Sequence, residues 1–541
     1  MKKITCKILA LASLLVLGTA LTACEDELDI AKKGNLGGVE DFYQTDDDAE
    51  QAVAAVYSSW GGQHYNLTFL CNMLSDDCWA GAPSRGDNPG LQNLNEYTFG
   101  SDNDIVEGLF TGLYGVNYNC NLVIEKVSPD TPVKKRCLAE AYFFRGWANF
   151  YLAALWGTPP LVDHLLQPSE YAMSNSDEGA VLEFAIESFQ KALELGALPS
   201  KTSMDDSETP IRVTREAVNA YLGKALLFAG RNSEAATALD EVINSGLYGL
   251  YQGDYGDLHK PNTEFCRESI LENNQPDDTN TMWSFMNYVS VMRGWRVDQL
   301  TWTSLNSKYS DNIGGYGFEN PRKALYDAFK SWSVQGGGDT YRLDQSIKTY
   351  NFLRTEMNLT ATTTMHGQEG FFSWKFRALE SELVQNMGGW NVLVSTNWRY
   401  MRYAEVLLLA AEANLQSNPS KSLQYINEVR TRAHLNALTT VSLDDIKQEK
   451  RFELCMEGCR FLDLVRWGDA ASVLKDQGKE VRCMSADGTV GVEYTNAVAG
   501  FVQGKHEHLP IPAKELLLNS SIHQNSGWTG STDEATESAQ E

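Results

Sequence analysis

Seven of the chain's thirteen tryptophans, Trp283, Trp295, Trp302, Trp332, Trp374, Trp390 and Trp398, fall within about a fifth of its 541 residues, among Gly-Gly, Gly-Gly-Gly, Asn and Thr clusters. Gly-rich, aromatic-rich connections of that length are functional surface more often than linker. A shorter stretch near the N-terminus, LSDDCWAGAPSRGDNPGLQNLNEYTF, has the same character. Together the two offer flat rings beside carboxylates, amides and guanidinium groups. Asp76, Asp77, Trp79, Arg85, Asn88 and Asn93 stand in the first, and Trp283, Tyr288, Trp295, Arg296, Trp302, Asn306 and Tyr309 in the second. Rings stack on flat C–H faces and polar groups hydrogen-bond hydroxyl edges, so the set suits a sugar. The bland alternative for any one of these tryptophans is a place in the core, since Trp is highly buried on average.

Cys24 is a second position with chemistry. Lys2, Lys3 and Lys7 precede the apolar run ILALASLLVLGTALTA, which is too short and too rich in small residues for a stable membrane span and reads as a secretory signal over residues 1–23. Leu21-Thr22-Ala23-Cys24 resembles the lipobox of bacterial lipoproteins, in which the cysteine is acylated, by palmitate among other chains, and becomes the first residue of the mature protein. Four acids follow within five residues, Glu25, Asp26, Glu27 and Asp29. Residues 24–38 are expected to form a lipidated acidic tether, and 531–541, STDEATESAQE, a disordered tail.

The remaining chemistry is mostly excluded. With 45 Lys+Arg against 71 Asp+Glu the formal charge is −26, and −29 once the three signal lysines leave, so nucleic acid is not an expected partner. Membrane attachment must then come from lipid rather than from a basic patch. Eight cysteines remain after Cys6 and Cys24, an even number that permits disulfides without pairing them. Cys455 and Cys459 have no Cys/His cluster nearby and Gly458 interrupts them, so buried or paired thiols are favoured over a metal. No GxSxG, HExxH, P-loop or Rossmann pattern occurs, the histidines are scattered, and His506-Glu-His508 reads as a surface turn. A helical glycoside hydrolase would need two carboxylates across a cleft, which a sequence alone leaves open. No catalytic residue, metal or cofactor is expected.

The elements that must position the aromatic stretches are helices. In TREAVNAYLGKALLFAG, Val218, Leu222, Ala225 and Ala229 recur on one helical face, Thr214 caps, and Gly230 ends the helix. RNSEAATALDEVINSG follows as its partner, with small residues at the crossing points in the manner of a tetratricopeptide unit. RYAEVLLLAAEANLQ with SKSLQYINEVRTRA, and 105–127 with 133–156, read as further pairs. Glu449, Arg451, Glu453, Glu457, Arg460, Asp463 and Arg466 alternate in sign and predict ion pairs between helices, and Ser442 with Asp445 a capping box. The expected fold is mostly α, a helical-pair scaffold over 39–530 with a loop-rich, aromatic-rich insertion at about 265–400 that forms the ligand face.

Five ordered stretches resemble the SusD/RagB family of outer-membrane nutrient-binding lipoproteins: residues 95–127, 138–161, 212–250, 399–416 with 427–435, and 446–468 with 509–528. Lys450, where that family usually has Arg, and Cys459 are small departures. The resemblance implies a lipid-anchored protein on the outer membrane, facing the exterior, that captures oligosaccharides and passes them to a TonB-dependent barrel of the SusC type. Peptides are the alternative ligand. It also implies that the acidic run after Cys24 directs the protein to the outer leaflet.

Overall fold

The computed structural model describes residues 42–275, 288–384 and 394–529, so Cys24, the acidic run, Trp283 and the C-terminal tail lie outside the described residues. The predicted helical pairs are present. Helix Arg215–Phe228 starts on Thr214, whose hydroxyl accepts from the Ala217 N–H at 3.1 Å, and Gly230 leaves it with φ of 73°. Its partner Asn232–Asn244 packs against it at Gly223, where a Cβ would lie 2.5 Å from Leu239 Cγ. A side chain there would force the pair apart. Helix Asp104–Lys126 packs on Pro132–Trp156, which packs in turn on Ala180–Glu194, and Tyr403–Asn414 pairs with Pro419–Arg432. The main hydrophobic core runs from Ala49 to Trp528, so the first and last described helices share one interior. No helix among the described residues is long and apolar enough to cross a membrane.

The region expected to be mostly loop is more regular than its glycine content predicts. Short antiparallel pairs join Cys78–Gly81 to Phe318–Pro321, Leu300–Trp302 to Leu359–Ala361, and Ile347–Thr349 to Phe371–Ser373. A three-stranded sheet joins Val490–Thr495, Glu480–Met484 and Met365–His366 in that order. These strands are too short for a period of two to stand out in sequence, and each is fixed by its partner. They enclose a satellite core of Trp295, Leu300, Tyr350, Leu353, Met357, Leu359, Phe372 and Trp374 with a few neighbours.

The sign-alternating helix carries a buried charge network. Glu453 accepts from Arg342 at 2.8 Å, Arg402 at 3.0 Å and Arg432 at 2.5 Å, and Glu449 from Arg430 at 3.0 Å. Burial works against the Glu453 carboxylate, but Arg432, Arg402 and Arg342 outweigh it and hold it well below the usual range. Gly458, at φ of 82°, separates that helix from Arg460–Arg466 as expected. All eight cysteines among the described residues are free thiols, and burial pushes Cys455 up to about 11, which keeps it protonated and a poor metal ligand.

The LPIP strip at 509–512 packs against helix Pro132–Trp156. The Leu509 N–H donates to Leu155 O at 2.7 Å, and Trp156 Nε1 donates to Pro510 O at 3.0 Å. His506 corrects the surface-turn expectation. It is 3% exposed, its ring lies against Tyr97, Phe99, Phe501 and Trp528, and its Nδ1 accepts from the Val502 N–H at 2.8 Å. Tyr97, Phe99 and Trp528, drawn from segments outside the local HEH pattern, are not visible from it.

Candidate functional site

In the first aromatic stretch, most predicted groups are engaged by the scaffold. Asp76 accepts from Arg451 Nη2 at 2.7 Å and Arg460 Nε at 2.9 Å, and Asp77 accepts from Arg451 Nε at 2.8 Å. Burial alone would raise Asp76, but Arg451 and Arg460 prevail and hold its carboxyl at about 2. Trp79 is buried, donates from Nε1 to Glu369 Oε2 at 2.9 Å, and carries the Arg322 guanidinium 3.7 Å above its ring. Asn88 caps helix Pro89–Glu96 by accepting from the Leu91 N–H at 3.1 Å. Half-buried Arg85 donates to Glu96 Oε2 at 2.8 Å and lies 3.7 Å over the Tyr494 ring. Asn93 is half-buried and accepts from the Thr98 hydroxyl at 3.5 Å.

The second stretch contributes more surface. Tyr288 opens the short helix Tyr288–Met292. Trp295 is 3% exposed and belongs to the satellite core. Trp302 is half-buried on the rim of that core, and its side chain makes no hydrogen bond, ring pair or cation contact among the described residues. Its strand register, Trp302 opposite Leu359, and the Thr303 N–H donating to Asn358 O at 2.9 Å hold it in place. Asn306 Nδ2 donates to Glu356 O at 2.5 Å, and Arg296 Nη1 donates to Tyr316 O at 3.0 Å. Gln299 Nε2 donates to Pro83 O at 3.0 Å, which brings the two stretches onto one side of the molecule.

Phe352, which the aromatic count passed over, joins Tyr309 to complete this rim. Tyr309 and Phe352 pack on the satellite core beside Trp302, with the Tyr309 and Phe352 rings 5.6 Å apart and edge to face. Phe352 meets Trp374 at 5.8 Å in the same manner. Leu305, 68% exposed, and Val297, 47% exposed, flank Trp302 in sequence and add apolar surface. Phe352 sits in helix Tyr350–Thr355, whose single turn and a half gives too little periodicity to be singled out.

Two clefts lie apart from the rim. One of about 440 Å³ is bounded by Tyr57, Trp60, Tyr65, Arg212 and Asn273, and its Arg212 is tied to Glu50 at 2.6 Å and Glu140 at 2.9 Å. The other, about 590 Å³, is bounded by Tyr251, Tyr341, Asn427, Glu428, Arg432 and His434. Tyr341 and His434 stack there at 4.3 Å and 12° between planes.

Comparison with known proteins gives a consistent family likeness. The profile of the SusD family matches residues 241–528, more than half of the chain. A SusD-like protein, P2, of Formosa agariphila is 25% identical, with 94% of this chain and 98% of that protein covered. A solved laminarin-binding SusD-like protein is 27% identical with a TM-score of 0.75, over 89% of this chain and 99% of the other. A surface glycan-binding protein A of Bacteroides thetaiotaomicron, solved with laminarihexaose, shares the fold at a TM-score of 0.71 and 23% identity, over 89% and 99% of the two chains.

Proposed function

The chain belongs to the SusD family, and from that premise we propose that it captures glycans at the cell surface and delivers them to a TonB-dependent outer-membrane transporter. It is a binding protein and not an enzyme. The observation that carries the proposal is the likeness, along nearly the full length of both chains, to a protein that binds laminarin. The ligand face is the rim of the satellite core. Trp302 offers a ring and an unengaged indole N–H, Tyr309 and Phe352 extend the apolar strip, and Asn306 and Tyr309 stand beside it with polar edges. Asp76, Asp77, Trp79, Asn88 and Trp295 act behind this surface by fixing the loops, and Arg85 with Tyr494 edges it. Cys24 carries the lipid, and the acidic run after it sends the protein to the outer leaflet. With no ATP-binding motif in the sequence and no membrane-crossing helix among the described residues, uptake calls for a separate transporter, which this chain caps.

The test is calorimetric titration with oligosaccharides from laminarin and other polymers. A Kd in the micromolar range for at least one glycan, with none for peptides, is expected. Trp302→Ala should weaken that binding by about 1 to 3 kcal/mol, the usual worth of an aromatic stacking platform. If Tyr341→Ala abolishes binding while Trp302→Ala does not, the site lies in the 590 Å³ cleft instead. Absence of binding to every glycan would overturn the proposal. Mild detergent extraction of the native membrane should also co-purify a TonB-dependent barrel, and its reproducible absence would refute the partnership.

A further inference from the structure

The rim holds a group of cations that the scaffold leaves unpaired. Lys308 Nζ lies 5.0 Å from the Tyr309 ring centre. Lys348 Nζ lies 4.5 Å from Phe352 and 5.7 Å from Trp374, and the Arg377 guanidinium carbon lies 5.1 Å from the same Trp374. Because Tyr309, Phe352 and Trp374 form one edge-to-face ladder, the three cations share one strip of surface. None of them makes an ion pair among the described residues, although the chain carries 71 carboxylate side chains against 45 cationic ones. Arg377 Nη1 donates to Gly256 O at 3.1 Å and Trp374 O at 3.3 Å, and its Nη2 and Nε donate to nothing described.

Elsewhere in this protein many buried cations have a carboxylate within reach, among them Arg402, Arg432, Arg342, Lys450 and Arg466, while Arg145, Lys201 and Arg322 are held by hydroxyl, amide or carbonyl oxygens. On the rim the nearest acids act only through the field. Asp344 opposes the effects of burial and of Arg377 and Lys308 on Lys348, Lys308 is raised first by its hydrogen bond to Tyr309 and only last by Glu356, and Asp257, Glu382 and Asp254 act on Arg377. Burial comes first in holding both Lys348 and Arg377 below their ordinary ranges. Aromatic faces soften this arrangement without neutralising it, because a ring supplies a quadrupole and no net charge. Like charges gathered on a partly dehydrated strip are unfavourable until a counter-charge arrives.

We infer that the glycan bound on this rim is anionic, and that Lys308, Lys348 and Arg377 receive its carboxylate or sulfate groups while the neighbouring rings carry its sugar faces. The inference rests on the proposed glycan-binding reading and narrows it. Arg377's free edge suits a planar, two-point contact with a carboxylate or sulfate, and the two lysines act as point charges. Charge on the ligand also accounts for a basic strip in an otherwise acidic protein, which would repel an anionic polymer everywhere else and so orient it.

The experiment compares three ligands of matched length: a neutral laminarin oligosaccharide, an oligogalacturonate and a sulfated galactan oligosaccharide. At low salt the protein should bind one charged ligand at least about tenfold more tightly than the neutral one, and the advantage should shrink as salt rises. The carboxylated and sulfated arms identify which group is read. Lys348→Gln with Arg377→Gln should remove that tenfold preference while leaving binding of the neutral ligand and the melting temperature in place. The single Lys308→Gln variant, at an exposed position, keeps the test open if the double variant fails to fold. Equal or tighter binding of the neutral glycan, with no effect of salt or of these substitutions, overturns the inference and leaves glycan binding standing. Failure of all three ligands and of the wider glycan panel overturns both.

Discussion

His506 provides a measurable link between packing and acid stability. Its ring is enclosed by Tyr97, Phe99, Phe501 and Trp528, and burial, with a smaller contribution from Lys505, pulls its pKa down from 6.5 to about 3. The folded protein therefore keeps this imidazole neutral over a range in which the unfolded chain protonates it. A base with a depressed folded pKa leaves stability intact above the unfolded value and erodes it as pH falls from there towards the folded value. At about 1.4 kcal/mol per pH unit, the loss reaches about 2 to 3 kcal/mol at pH 4.5. His506→Gln removes the titration and keeps an acceptor for the Val502 N–H. Urea melts of both proteins at pH 7.5 and 4.5 isolate the effect, because carboxylates and other histidines contribute equally to each and cancel in the difference. The wild type should lose about 2 to 3 kcal/mol more than the variant. Equal losses would show that the imidazole is hydrated or already charged in the fold, and the packing argument would fail.

Trp295→Ala and Trp302→Ala should separate cleanly: the first empties a core position and costs about 3 to 5 kcal/mol of stability, while the second leaves the melting temperature within a few degrees and weakens glycan binding. A stable Trp295→Ala protein would contradict the satellite core. Asp77→Ala should lower the melting temperature sharply, since it leaves part of the Arg451 guanidinium buried without its carboxylate, at a cost of about 3 to 5 kcal/mol; unchanged melting would return Asp77 to the ligand face. Glu453→Gln should destabilise by a similar amount at pH 7, because three arginines lose one shared anion. Its folded pKa is depressed, so the wild-type advantage is present above the unfolded carboxylate range and should fade as pH falls below about 4, which acid titration of both proteins will read.

The helical scaffold was legible because its signals are local. Thr214, Ser442 and Gly230 cap or end helices through neighbours three residues away, and the Gly223 crossing lies within one helical pair. The charges of residues 449–466 were legible as scaffold for the same reason, although their partners were not. Asp76 and Asp77 looked like ligand groups because Arg451 and Arg460 are more than 370 residues away, as the 374- and 384-residue separations record. Trp295 and Trp302 are seven positions apart in similar sequence, and only tertiary contacts bury the first in the satellite core and leave the second, opposite Leu359, on its rim. Lys348 and Arg377 carried no signal at all, since an unpaired cation is recognised by the absence of an acid in three dimensions.

The ties between Asp76 and Arg460 and between Trp156 and Pro510 also govern the order in which the protein can be made. They close loops of 384 and 354 residues, and such closures form late because chain entropy must be overcome before the contacts repay it. While the C-terminal hundred residues are still missing, the N-terminal helices lack the LPIP strip that covers Leu155 and the arginines that neutralise Asp76 and Asp77. The half-made protein is consequently an open, acidic intermediate that cannot complete its interior, and a chain truncated after residue 440 should remain one, a substrate for chaperones and proteases rather than a smaller binding protein.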